Sequence, residues 1–203
     1  MSQLFLLAAP ALLISGVVVA QTQPADDPQS VHPGSYVVDS SHTRVEFTVN
    51  HLGFTHFNGE FAGVAGTMEL DPSNPAATRL TITMPTASLS TNNGTLDKEL
   101  KSKTCFDAVH FPTIRFVATK VLQADASHAT ITGDLTMHGV TQPVTLDATF
   151  NGAGVNPLNH VYTVGFDAST TIRRSHFGVT AFIPLVSDQT VIHISAAFEK
   201  KNA

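Results

Sequence analysis

The chain has 203 residues, a formal net charge of −5, 13% charged residues, 10 histidines and one cysteine. A mildly acidic chain of this kind carries neither the basic footprint of a nucleic-acid binder nor a polybasic patch for anionic lipid headgroups. With Cys105 alone there is no internal disulfide, so the fold rests on side-chain packing and sheet hydrogen bonds, and in KSKTCFDAV the thiol reads as buried and structural.

Residues 1–20 (MSQLFLLAAPALLISGVVVA) are almost entirely apolar from Leu4, lack any charged side chain and end in small residues. This is the pattern of a cleavable signal peptide, and it implies a periplasmic or secreted protein. No later stretch is long and apolar enough to span a bilayer as a helix, so stable membrane insertion is not expected. Residues 21–34, rich in Gln, Asp, Pro and Ser, read as a flexible leader, and residues 35–203 as one domain.

Strand signals then follow at short intervals. Tyr36–Asp39 is a short strand. Thr43–His51 alternates clearly, with Val45, Phe47, Val49 and His51 on one face. Between Phe57 and Leu70 the apolar set changes parity, from Phe57 and Phe61 to Val64, Met68 and Leu70, which predicts a β-bulge near Gly63. DPSNP at 71–75 is a turn. Leu80, Ile82 and Met84 alternate with threonines. TLDKELKS, Thr95–Ser102, is the one good helix candidate.

After Pro112 come the strand through Ile114, Phe116 and Ala118 and the alternating run from Ala129 to Met137. HGVTQP then turns, and Val144, Leu146, Ala148 and Phe150 alternate back, which predicts a hairpin. Val164–Ala168 and Ile192–Phe198 supply later strands. Many strands, one helix and no alternation of strands with helices define an all-β, antiparallel protein. The glycines and the bulge favour strongly coiled strands, as in a closed barrel.

Several spaced motifs resemble those of the YceI-like family, in the same order. They are YVVDSSHTRVEFTVNHLGF, with Asp39, His42, Phe47, Val49, His51 and Gly53; NGEFAGVAGTMELD; DKELKSKTCFDAVHFPTIRF, with Asp97, Leu100, Ser102, Phe106, Asp107, Pro112, Ile114 and Phe116; GDLTMHGVTQPVTL; and IRRSHFGV, with Arg174, Ser175, Phe177 and Gly178. The resemblance covers Ser35 to Glu199. Glu99, Cys105 and His176 depart from the residues common in the family, all in connecting segments. The resemblance implies an exported, lipocalin-like β-barrel of about eight strands with a short helix. It also implies an isoprenoid amphiphile, a polyprenyl lipid or quinone, held in an elongated apolar pocket without cofactor or catalytic chemistry.

Alternation gives the candidate wall of that pocket: Phe47, Val49, Phe57, Phe61, Leu80, Ile82, Met84, Phe116, Leu135, Met137, Leu146, Phe150, Val164 and Phe166. His51 shares the inward parity at a strand end, where it suits the barrel mouth and a ligand headgroup. Arg174 is a candidate cation for a phosphate or carboxylate head. Expected partners are a long-chain amphiphile, a membrane protein that donates or accepts it, and a second copy of the chain in a homodimer. Two other readings compete: a binder of fatty acids or fatty amides, and a histidine-based metal binder. The histidines show no H-x-H or H-E-x-x-H spacing, and His51 and His56 fall on opposite strand faces. No G-x-S-x-G elbow is present, and Asp39-x-x-His42 reads as a hydrogen-bonded turn rather than a catalytic pair.

Overall fold

The computed structural model describes residues 23–201; the signal-peptide pattern at 1–20 lies outside them. Ten strands form one antiparallel sheet: β1 Gly34–Val38, β2 Arg44–His51, β3 Thr55–Phe61, β4 Ala65–Leu70, β5 Arg79–Pro85, β6 Thr113–Gln123, β7 His128–Met137, β8 Val140–Val155, β9 Tyr162–Arg173 and β10 Val186–Lys200. The short helix α1, Gly94–Lys101, lies between β5 and β6.

The sheet closes on itself because β1 and β2 lie end to end along the same side of β10. Val38 pairs with Phe198 and Arg44 with Ser195. Residues 39–43 loop out between them, where the Asp39 carboxylate accepts from the Ser41 amide and contacts His42 Nδ1. The expected hydrogen-bonded Asp-x-x-His turn is therefore present. β3 and β4 form a second end-to-end pair, β3 on β2 and β4 between β1 and β5. Ten strands thus occupy eight positions around a closed barrel; β3 lies at the end of the strand order, and its second edge is bridged at Glu60–Ser90.

The parity change between Phe61 and Val64 is real, but it is a corner between two strands rather than a bulge within one. Gly63 turns it with φ +65°, a conformation that favours glycine. Gly59 is required for another reason. It pairs with Phe47 across the β2–β3 ladder, and a Cβ there would lie 2.3 Å from the Phe47 ring. The ring covers the strand glycine directly, a device that pins strand register.

The β7–β8 hairpin is tighter than HGVTQP suggested. Met137 pairs with Val140 across a two-residue turn, His138–Gly139, both at positive φ (52° and 75°), the type I′ geometry that matches strand twist. Val140 to Pro143 therefore belong to β8, with Pro143 paired opposite Asp134. α1 starts at Gly94, one residue earlier than predicted, because the Asn93 side chain caps the amides of Thr95 and Leu96.

The barrel has two distinct ends. One carries the β4–β5, β6–β7 and β8–β9 turns; the other carries the β2–β3 turn, α1, the β7–β8 hairpin and the long β9–β10 connection. The first end is partly closed by the segment before β1, which is less free than its composition suggests. Ala25 bridges Ala153, and Val31 is buried with Tyr36, Met68, Ala153, Val164 and Phe198. Tyr36 is fully buried, its hydroxyl donates to the His32 carbonyl, and burial, with Tyr162 nearby, pushes its phenol up to about 12. It stays a neutral donor at any physiological pH.

Candidate ligand-binding site

Inward-facing residues of the strands line a cavity of about 260 Å³ that runs from the turn end to the middle of the barrel. A second cavity of about 420 Å³ occupies the α1 end. Phe61, Met137, Ile172 and Ile192 line both, so the two meet at a waist of four apolar side chains. The barrel is therefore an elongated lumen with a constriction. Met137 suits a constriction, since an unbranched thioether adapts its shape at little cost.

Of the wall residues expected from alternation, Phe61, Leu80, Ile82, Met84, Phe116, Leu135, Met137, Leu146, Phe150 and Phe166 line the first cavity. Phe47, Val49 and Phe57 line the second, together with His51 and Arg174. Val164 lines neither. Its parity is inward, but it is fully buried at the turn end beneath Val31 and Tyr36, so it is packed core rather than wall. Alternation fixes the face of a strand residue and says nothing of its depth along the barrel axis.

Sequence reasoning also missed part of the site. Ile192, Ile194, Ala196 and Phe198 of β10 line the first cavity, and their alternation was visible. The other contributors to the second cavity are Leu96, Glu99 and Leu100, spaced for one face of the predicted helix α1, and Cys105, Phe106, Val179, Ala181, Phe182 and Leu185 from connections that carry no periodic signal. Leu52, Phe182 and Leu185 both line this cavity and are 47%, 52% and 63% exposed, giving its opening an apolar rim. The Leu52 amide donates to the Leu185 carbonyl at 2.9 Å and ties the two sides of that rim together.

The polar groups of the second cavity differ in how they are engaged. Cys105 is buried, and desolvation pushes its thiol up, which keeps it protonated and unreactive. His51 is exposed, lies tilted against the Phe57 ring at 6.1 Å, and makes no side-chain hydrogen bond among the described residues.

Arg174 is not the free headgroup cation it was expected to be. Nε donates to the Ser187 carbonyl, Nη1 to the carbonyls of Val179 and Ala181, and Nη2 to that of Val186, at 2.8–3.1 Å. Four of its N–H groups are spent on the β9–β10 connection, and its charge is partly desolvated. Thr190 also lines the second cavity, and its buried hydroxyl has no hydrogen-bond partner. Among the described residues no group of three or more His, Cys, Asp or Glu is placed to hold a metal ion.

A closed eight-position antiparallel barrel with a long apolar lumen and a short helix at one end defines a lipocalin-like ligand-binding barrel. Residues 36–198 match the YceI-like domain, and the chain belongs to that family. It is 38% identical over 146 residues, 71% of this chain and 76% of the other, to a UPF0312 protein of Pseudomonas savastanoi pv. phaseolicola. Its fold is similar to that of the Campylobacter jejuni YceI protein, with a TM-score of 0.65 and 27% identity over 75% of this chain and 90% of that one. It also matches the fold of a polyisoprenoid binding domain from Saccharophagus degradans implicated in plant cell wall breakdown, with a TM-score of 0.64 and 11% identity over 84% and 100% of the two chains.

Proposed function

We propose that the chain binds an isoprenoid amphiphile, a polyprenyl lipid or quinone, in its barrel lumen outside the cytoplasm, for transport or storage. The observation that carries this reading is the lumen itself: two apolar cavities end to end, with polar residues at both ends, Gln29, Gln123, Ser127 and His128 at the turn end and His51, Glu99 and Arg174 at the α1 end. Each buried methylene contributes about 0.8 kcal/mol, so a chain of ten or more carbons offsets the cost of association. The polyisoprenoid binding domain of the same fold supports the choice of lipid class. Export is supported by the signal-peptide pattern at 1–20. A membrane protein that hands over or receives the lipid, and pairing of two barrels, belong to the same proposal.

The test is native mass spectrometry of the exported protein, followed by organic extraction. A chain lacking residues 1–20 with a discrete prenyl lipid is the expected result. Fatty acid or fatty amide in its place would move the ligand to another lipid class. A bare chain that takes up no added prenyl lipid would sink the reading.

His51 gives a second check. Its ring stands at the opening of the second cavity without an internal partner, so a headgroup entering there meets it first. His51→Ala is expected to lower affinity for prenyl lipids with a polar head by about fivefold, one hydrogen bond's net contribution of roughly 1 kcal/mol. Its melting temperature should stay that of the parent, because the side chain is exposed. Equal affinity for every head would remove His51 from the site.

A further inference from the structure

The opening of the second cavity carries apolar side chains that the fold leaves uncovered. Leu52, Phe182 and Leu185 edge it, and Phe54, at the tip of the β2–β3 turn, is 86% exposed. Scattered single apolar residues are normal on a surface, but a cluster around an opening marks an interaction site. The turn that bears it is held in place. The Gly53 amide donates to the Asn50 side chain at 2.8 Å, the Phe54 amide to the His51 carbonyl at 3.0 Å, and the Leu52 amide across to Leu185. Leu52 and Phe182 also sit at φ +57° and +63°, a left-handed backbone that glycine or asparagine adopts at less cost. Leu and Phe there add strain and exposed apolar area together, which points to a use for the side chains themselves.

Charge decides what covers this rim. Helix α1 turns Leu96, Glu99 and Leu100 toward the cavity, so Lys98 and Lys101 fall on its opposite face, and Lys103 follows. Among the described residues none of the three lysines forms an ion pair. Two nearby carboxylates are already engaged: Asp97 accepts from the Thr91 amide and hydroxyl, and Asp107 pairs with His110. The turn end also exposes apolar side chains, Val155 and Leu158. Its connections at 23–33, 71–78, 124–127 and 156–161, however, carry Asp26, Asp27, Asp71 and Asp125 and no Lys or Arg. The two ends thus differ in sign, and the α1 end is the one that joins apolar area to unpaired cations.

We infer that the α1 end docks peripherally on an anionic lipid bilayer, with Phe54 and its neighbours in the acyl boundary and Lys98, Lys101 and Lys103 against the headgroups. Three lysines fall short of a polybasic patch, and four apolar side chains fall short of an anchor, so the contact is reversible and takes both. Docked this way, the second cavity opens onto the acyl region, and a water-insoluble ligand passes between membrane and lumen without crossing water. The docking goes beyond the lipid-binding reading and stands on the surface alone; the passage of ligand rests on that reading.

The experiment is flotation of the exported protein with vesicles of phosphatidylcholine and phosphatidylglycerol in equal parts, and with vesicles of phosphatidylcholine alone. The parent is expected to float with the mixed vesicles, to float less with the neutral ones, and to be released as salt is raised. Phe54→Ser should lower partitioning onto mixed vesicles by about tenfold, about 1.4 kcal/mol. Lys98→Ala and Lys103→Ala should each lower it by about fivefold, on the mixed vesicles alone. None of these three residues lines a cavity, so each variant should keep the parent's melting temperature and its affinity for geranylgeraniol titrated without vesicles. Equal flotation of parent and Phe54→Ser, or of the parent on charged and neutral vesicles, would overturn the docking. A parent that floats with neither would overturn it too, and a dimer that Phe54→Ser splits would then give the rim to a second copy of the chain. Docking on vesicles without uptake of geranylgeraniol would uphold the docking and sink the lipid-binding reading alone.

Discussion

Ala168→Trp is expected to weaken binding of a long prenyl chain by about 100-fold or more while the barrel stays folded. Ala168 lines the first cavity in the middle of β9, where it pairs with Ala148 of β8 and Ile194 of β10. Ala148 and Ala196 line the same cavity, so three small inward side chains widen the lumen where larger ones would fill it. An indole at Ala168 takes up volume that the tail needs. A 100-fold loss is about 2.7 kcal/mol, the burial of roughly three to four methylene groups at about 0.8 kcal/mol each. The ring enters lumen space lined by Ala148 and Ala196, so the apo variant should melt close to the parent; overpacking would instead cost about 1–3 kcal/mol. A short prenyl alcohol that stays within the second cavity should keep most of its affinity. Undiminished uptake of a long chain would mean that the tail lies elsewhere than the first cavity.

Much of this lumen was legible in the sequence because an antiparallel barrel imposes one rule on every strand. Phe47 and Val49 on β2, Leu135 and Met137 on β7, and Leu146 and Phe150 on β8 alternate with outward residues, and all six reach a cavity wall. The barrel's corners were legible only in part. The parity change near Gly63 was visible, but one segment was read where β3 and β4 are two strands with different partners. Pairing is a long-range property, and a local run of glycines cannot say which strand lies alongside.

The α1 end was the least legible. Its cavity is lined by Leu52, Phe182 and Leu185 from connections, which carry no period. Thr190 lies on a strand but follows an irregular stretch, so no alternating run led up to it. Arg174 was visible as a charge and opaque as a contact, since nothing in the sequence marks backbone carbonyls as its partners.

The largest loss of stability is expected from Arg174→Ala. The guanidinium gathers carbonyls from two segments: Val179 and Ala181 from the middle of the β9–β10 connection, Val186 and Ser187 from the start of β10. Beside it, the Asp188 carboxylate accepts from the Ser175 amide and hydroxyl and pairs with Arg173 at 3.5 Å, holding the same turn. Alanine leaves four acceptors without their donor, each costing up to about 1–3 kcal/mol where water cannot replace it. Partial rehydration of an exposed connection lowers the sum, and a net loss of about 3 kcal/mol follows. For a domain of this size that is a fall of roughly 6–12 °C in melting temperature. Arg174→Lys should recover only part of it, since an ammonium has three donors and no planar fork to span carbonyls on two segments. The connection also supplies Val179, Ala181, Phe182 and Leu185 to the second cavity. Arg174→Ala should therefore weaken ligands of every head alike, by loosening the wall they share. A variant that melts like its parent and loses affinity for charged amphiphiles alone would return Arg174 to the role of headgroup cation.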